Sequence, residues 1–147
     1  MASFSLDSRL AADSLAVADL SLSSLRLMRD SRFPWLLLVP RRPDLVEIID
    51  LAEAEQAVLM REIALASEAL KAETGCDKLN VGALGNIVSQ LHVHVIARRE
   101  GDVAWPGPVW GSGAAVPYAA GQAEALAAAI AGRLPQDAWV PFTSHAT

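Results

Sequence analysis

Gln90-Leu91-His92-Val93-His94-Val95-Ile96 is the stretch around which the rest of the chain is read. It alternates strictly, and successive side chains on a strand point to opposite faces. Gln90, His92 and His94 are therefore expected on one face, about 6–7 Å apart. Leu91, Val93 and Val95 share the other face, which must bury against a helix. The chain has 3 histidines, so most of its imidazole sits on this one face. Imidazoles are costly to bury unless paired. Three readings stand open: ordinary half-buried histidines, a His-x-His metal site offering two nitrogens to one ion, or a nucleophilic imidazole that attacks phosphorus beside a second one. The metal reading lacks further ligands, because His145 lies in the tail and no cysteine or carboxylate stands at a suggestive spacing.

Directly upstream, Asn80-Val81-Gly82-Ala83-Leu84-Gly85-Asn86 favours the nucleophilic reading. Its two glycines permit close backbone approach and positive φ, and its two asparagines supply amide donors. Such a loop can surround an anion held over His92. Ser89 falls on the other side of the strand by alternation.

Further out, strands are expected at Ser14–Leu20, Leu25–Arg29, Trp35–Val39 and Lys78–Gly82, the third ended by Pro40. Asp30 to Pro34 reads as a turn. A long helix follows, with Asp50 as its cap, Glu53 as the reciprocal partner and Gly75 closing it in the left-handed conformation. Leu59, Ile63, Ala66 and Leu70 form its apolar stripe. Gly101 to Gly113 is irregular, and Pro117 to Arg133 is a second helix ending at Gly132. Strand runs separated from helices give an α+β class with an antiparallel sheet of about five strands and two main helices. One domain is expected over 1–147, with its core at about 14–133 and a tail at 134–147.

Composition narrows the function. The chain has 147 residues, 52% hydrophobic and 20% charged, with a net charge of -5. That is enough apolar material for a core, and the acidic balance argues against nucleic acid as a partner. The single cysteine, Cys76, excludes an intrachain disulfide and a four-cysteine zinc site, and no base stands beside it to make it a catalytic thiol. No stretch reaches the roughly 20 apolar residues of a membrane span, and the N-terminus lacks the pattern of a secretory signal. A cytoplasmic location is expected.

The histidine strand and its loop resemble the histidine triad (HIT) family of nucleotide hydrolases and transferases, whose pattern is His-φ-His-φ-His-φ-φ with φ apolar. Gln90 stands at the first His position. Asn80 is similar to the family's phosphate-side asparagine, Gly85-Asn86 to its Gly-Gln pair, and Trp105-Pro106-Gly107 to a Trp-Pro segment of some members. The resemblance spans roughly Leu15 to Trp110. It implies His92 as the nucleophile of a covalent nucleotidyl-histidine, and His94 on the phosphate and leaving-group side. It implies Asn80 and Asn86 as phosphate ligands and Asp30 as a ribose ligand, with a turn aspartate as the plainer reading. Gln90 is expected to help orient His92, whose ring N–H its backbone carbonyl can accept. The resemblance further implies a homodimer whose sheets join across the two-fold, a small nucleotide as substrate, and no cofactor or metal. Trp35 stands where many members carry an upstream histidine, and Ile87 where some carry a hydroxyl. Arg98 and Arg99 are candidates for distal phosphates or solvated strand-end residues. Trp105 and Trp110 are candidates for packing or base stacking. The expected activity is cleavage at an α-phosphate, in nucleoside phosphoramidates or dinucleoside polyphosphates. The alternatives are a nucleotide-binding module with little catalysis and a His-x-His metal protein.

Overall fold

The computed structural model describes residues 2–138. A short helix, α1 (Ser8–Asp13), opens the fold, its first turn capped by the Asp7 carboxylate, which accepts from the Arg9 N–H. Then follow β1 (Ser14–Asp19), β2 (Ser23–Met28) and β3 (Trp35–Pro40), the long helix α2 (Glu53–Thr74), β4 (Lys78–Gly82), β5 (Val93–Arg98) and α3 (Gln122–Ala131). The strands form one antiparallel sheet in the order β1-β2-β3-β5-β4. The α+β class and the five strands are as the sequence implies.

The period-two pattern of β5 decides the layering. Leu91, Val93 and Val95 face Leu59, Ala66 and Leu70 of α2 in a core that α3 completes with Ala123, Ala127 and Ile130. Each fully buried leucine, valine or isoleucine among them contributes roughly 1.5–3 kcal/mol, and each alanine less. On the opposite face Phe33, Trp35, Leu37, Val39 and Ile96 form a second core, closed by Leu10 of α1 and by Val109. Because β3 and β5 are covered on both sides, every residue in them is buried.

Several boundaries differ from the sequence reading. Asp50 does not cap α2. Its carboxylate accepts from the N–H groups of Val46 and Glu47 and closes a separate 3-10 turn at Ile48–Asp50, while Ala52 stands at the start of α2 without a side-chain cap. The second helix begins at Gln122 rather than Pro117, because Gly121 turns the chain in at a φ of 78°. β5 begins at Val93 rather than Gln90, since its pairing with β3 ends at Leu38↔Val93. The Leu91 N–H bonds instead to the Leu45 carbonyl. The packed core also exceeds 14–133, because Leu10 and Leu134 are both buried. Most of the expected tail, and His145 with it, lies outside the described residues.

Candidate active site

His94 projects from β5, paired across the sheet with Leu37 of β3 and Gly82 of β4. His92 lies just before the paired strand on the same face, and the two ring centroids are 4.8 Å apart. Each ring's tautomer follows from its partner. The Nδ1 of His92 lies 2.7 Å from the Gln90 carbonyl oxygen. A carbonyl can only accept, so the Nδ1 carries the proton and Nε2 keeps the lone pair. For His94 the logic is reversed. The Trp35 indole N–H, a donor only, bonds to His94 Nδ1 at 2.9 Å. Nδ1 therefore accepts, and the proton sits on Nε2. Burial, and secondarily the neighbouring His92, push the His94 pKa down from 6.5 to about 3. The site thus presents one ring nitrogen with a free lone pair and one neutral N–H donor side by side.

Both imidazoles line a cavity of about 640 Å³. One wall is the loop Leu84–Val88, which carries Asn86 and Ile87. Gly85 turns this loop at a φ of 68°, a conformation that costs a residue with a Cβ about 1–2 kcal/mol. Among the described residues, no protein acceptor takes the N–H groups of Gly85, Asn86, Ile87 or Val88. Backbone donors left free in a concave wall suit an anion. Arg29 and Arg32 line the cavity as well, as do Leu10 and Asp13 of α1 and the segment from Val109 to Ala115.

The HIT domain profile matches residues 9–101, more than half of the chain. The chain belongs to the HIT family. A histidine triad protein of Bradyrhizobium japonicum is 53% identical, with a TM-score of 0.88, covering 90% of this chain and 99% of that one. A HIT protein of Sinorhizobium meliloti is 52% identical, with a TM-score of 0.87 and coverage of 89% and 97%. One from Marinobacter aquaeolei is 43% identical, with a TM-score of 0.87 and coverage of 90% and 97%. No curated protein matches the chain significantly.

This HIT protein brings His92, His94, Asn86 and Asp30 to one cavity. Asp30, however, is already engaged. Arg32 grips both of its carboxylate oxygens, and the N–H groups of Arg32 and Val116 add to Oδ1. Burial alone would raise the Asp30 pKa, but those hydrogen bonds hold it below the usual value. The turn reading of Asp30 thus describes the bonds it makes. Asn80 is not on the cavity wall. It pairs with Ile96, two rungs beyond the Gly82–His94 pair, and its Oδ1 accepts from Arg98 at 2.9 Å. Trp110 packs over Gly82, where a Cβ would lie 3.4 Å from its ring, and meets His94 edge-on at 5.2 Å. The Gln90 side chain also leaves the site, since Oε1 accepts the Asp7 N–H and Nε2 donates to the Ser5 carbonyl.

Neither strand-end arginine reaches the cavity. Arg98 is 1% exposed, paired with Asp102, and its guanidinium lies 5.5 Å from the rings of both Phe33 and Trp105. That pairing holds the Asp102 pKa down to about 2. Arg99 bonds to the Thr74 and Gly75 carbonyls at the end of α2. Sequence reasoning missed Arg29, Arg32 and the wall supplied by α1. The extra Asp7-Ser8-Arg9 cap signal before Leu10 marked that helix. Among the described residues no three His, Cys, Asp or Glu side chains are grouped to hold a metal ion.

Proposed function

We propose that this HIT protein is a nucleotide hydrolase or nucleotidyl transferase that cleaves at the α-phosphate through a covalent nucleotidyl-His92. The observation that carries this reading is the His92 Nδ1 bond to the Gln90 carbonyl, 2.7 Å long. It leaves a lone pair on Nε2 of a ring that lines the cavity, beside a loop whose N–H groups have no protein acceptor among the described residues. In the first step Nε2 attacks phosphorus, the P–N bond forms, and the bond to the leaving group breaks with its electron pair. In the second, water attacks the same phosphorus, the P–N bond breaks, and His92 is restored while water's proton passes to solvent. Splitting one displacement in two lowers each barrier, and fixed donors at the phosphate oxygens stabilise the charge that develops. We read Gln90 as holding the first triad position, where its backbone serves His92 whatever side chain stands there. Nucleoside phosphoramidates and dinucleoside polyphosphates are the candidate substrates, the protomer is expected to pair with a second copy, and the cytoplasm is the proposed location.

A second reading, a nucleotide-binding module with little catalysis, is favoured by one observation: the Asp30 carboxylate is occupied by Arg32. A screen of both substrate classes, with His92→Ala as the blank, separates the two. Turnover by the wild type that vanishes in the variant supports the enzyme; binding with equal, background turnover in both supports the module.

A further inference from the structure

Gln90 has two tasks. Its backbone carbonyl holds His92, and its side chain holds the segment before α1. A carboxamide carries both an acceptor and a donor. Here Oε1 accepts the Asp7 N–H at 2.9 Å and Nε2 donates to the Ser5 carbonyl at 2.8 Å. Phe4 and Leu6, on either side of Ser5, pack against the second core, which Val88 joins. From Asp7 the connection runs on. Its carboxylate accepts from Nε and Nη2 of Arg9, and Nη1 of Arg9 donates to the Ile87 carbonyl at 3.2 Å. A continuous set of hydrogen bonds thus leaves Gln90, passes through Asp7 and Arg9, and ends on the loop 84–88. That loop is the cavity wall whose N–H groups have no protein acceptor among the described residues.

An exposed ion pair adds little to stability, so what the Asp7–Arg9 pair supplies is direction. It holds the guanidinium fork with one N–H turned to the loop. Ile87 is 86% exposed, so its own side chain does not anchor that stretch. Its carbonyl does. In a trans peptide the C=O and the following N–H lie in one plane and point opposite ways. Fixing the Ile87 carbonyl toward Arg9 therefore fixes the Val88 N–H away from it. Val88 lines the cavity and Arg9 does not. The HIT profile begins at Arg9, so Ser5 and Asp7 stand outside the stretch it matches.

We propose that Arg9 is a positioning residue: held by Gln90 through Asp7, it braces the loop 84–88 so that its backbone N–H groups are preset for the phosphate of a bound nucleotide. The proposal rests on the nucleotide reading of the cavity. A loop already ordered loses little conformational freedom when the anion arrives, and binding keeps more of the free energy of its hydrogen bonds.

The test uses the full chain, AMP as the probe and two variants. Arg9→Ala removes the last link. Gln90→Met removes the first with no change of charge, and it keeps the carbonyl that His92 uses. 1H–15N NMR of the ligand-free protein follows the loop, and calorimetry reads AMP affinity. In both variants the Val88 amide should shift while the amides of α2, on the far face of the sheet, stay in place. Both should bind AMP about 10-fold more weakly than the wild type. Weaker binding in Arg9→Ala alone, with the Val88 amide unmoved, would mean a bare charge acting at a distance and would overturn the brace. Loop amides that shift in both variants with AMP affinity intact would overturn its service to the anion. No AMP binding by the wild type rejects the nucleotide reading and that service with it, while the NMR still decides whether Gln90 and Arg9 hold the loop.

Discussion

At the scale of single residues, the two imidazoles differ through the atom each finds at Nδ1. A carbonyl makes His92 a lone-pair donor at Nε2, and an indole makes His94 an N–H donor there. Replacing His94 with alanine removes one fixed donor, so turnover should fall by about 10²–10³-fold with the covalent adduct still detectable. Steady-state kinetics on the variant checks this. His94 also carries a pH signature in folding. Its folded pKa, about 3, lies below the ordinary 6.5, so between these values the unfolded chain binds a proton that the fold refuses. The stability that the neutral ring contributes is complete above pH 6.5 and is lost as pH falls toward 3. Urea denaturation at pH 7 and pH 4.5 should show a larger loss for the wild type than for His94→Gln. Equal losses would contradict the buried neutral ring.

Among the elements, the helix end gives a clean expectation. Gly75 closes α2 at a φ of 62°, and a Cβ there meets nothing within 4 Å. Gly75→Ala should therefore lose only the left-handed backbone cost, about 1 kcal/mol, as read by chemical denaturation, with activity unchanged. Arg98 is the opposite case. Removing it leaves Asp102 and Asn80 without their buried partner, and Arg98→Ala should cost about 3–5 kcal/mol in the same assay. These elements also mark what the sequence made legible. The alternation of residues 90–96 and the 3.6-residue stripe of Leu59, Ala66 and Leu70 placed the sheet and its helix, because burial enforces both periods. Gly75 was readable for its backbone freedom. Asp50 was misread because a carboxylate four residues after Val46 closes a local turn as readily as it caps the next helix. Asn80 was expected at phosphate through the family resemblance, but a resemblance does not disclose that Arg98, buried on the same face, takes its oxygen. The Trp35–His94 bond joins residues 59 positions apart, and no local pattern encodes such a contact.

At the scale of the whole molecule, one edge of the sheet bears on assembly. β4 ends the sheet beyond β5, with Val81 half exposed on it. An edge strand with unpaired backbone groups is a template for another strand. The proposed homodimer is expected to join two copies there, and Val81→Pro should shift the sedimenting species from twice the chain mass to one. A dimer that survives this substitution would place the interface elsewhere. The cavity itself is assembled from distant parts of one chain: α1, the turn after β2, the loop before β5 and the segment from Val109. The His-face pattern announced its floor, whereas its walls depend on how irregular segments cross the sheet.

The most direct test of the central claim is to quench the protein during turnover of a nucleotide substrate and map the covalent adduct by tandem mass spectrometry. A nucleotidyl group on His92, absent from His92→Ala, is the predicted result. Turnover that proceeds with no adduct, or with the adduct on His94, would contradict it.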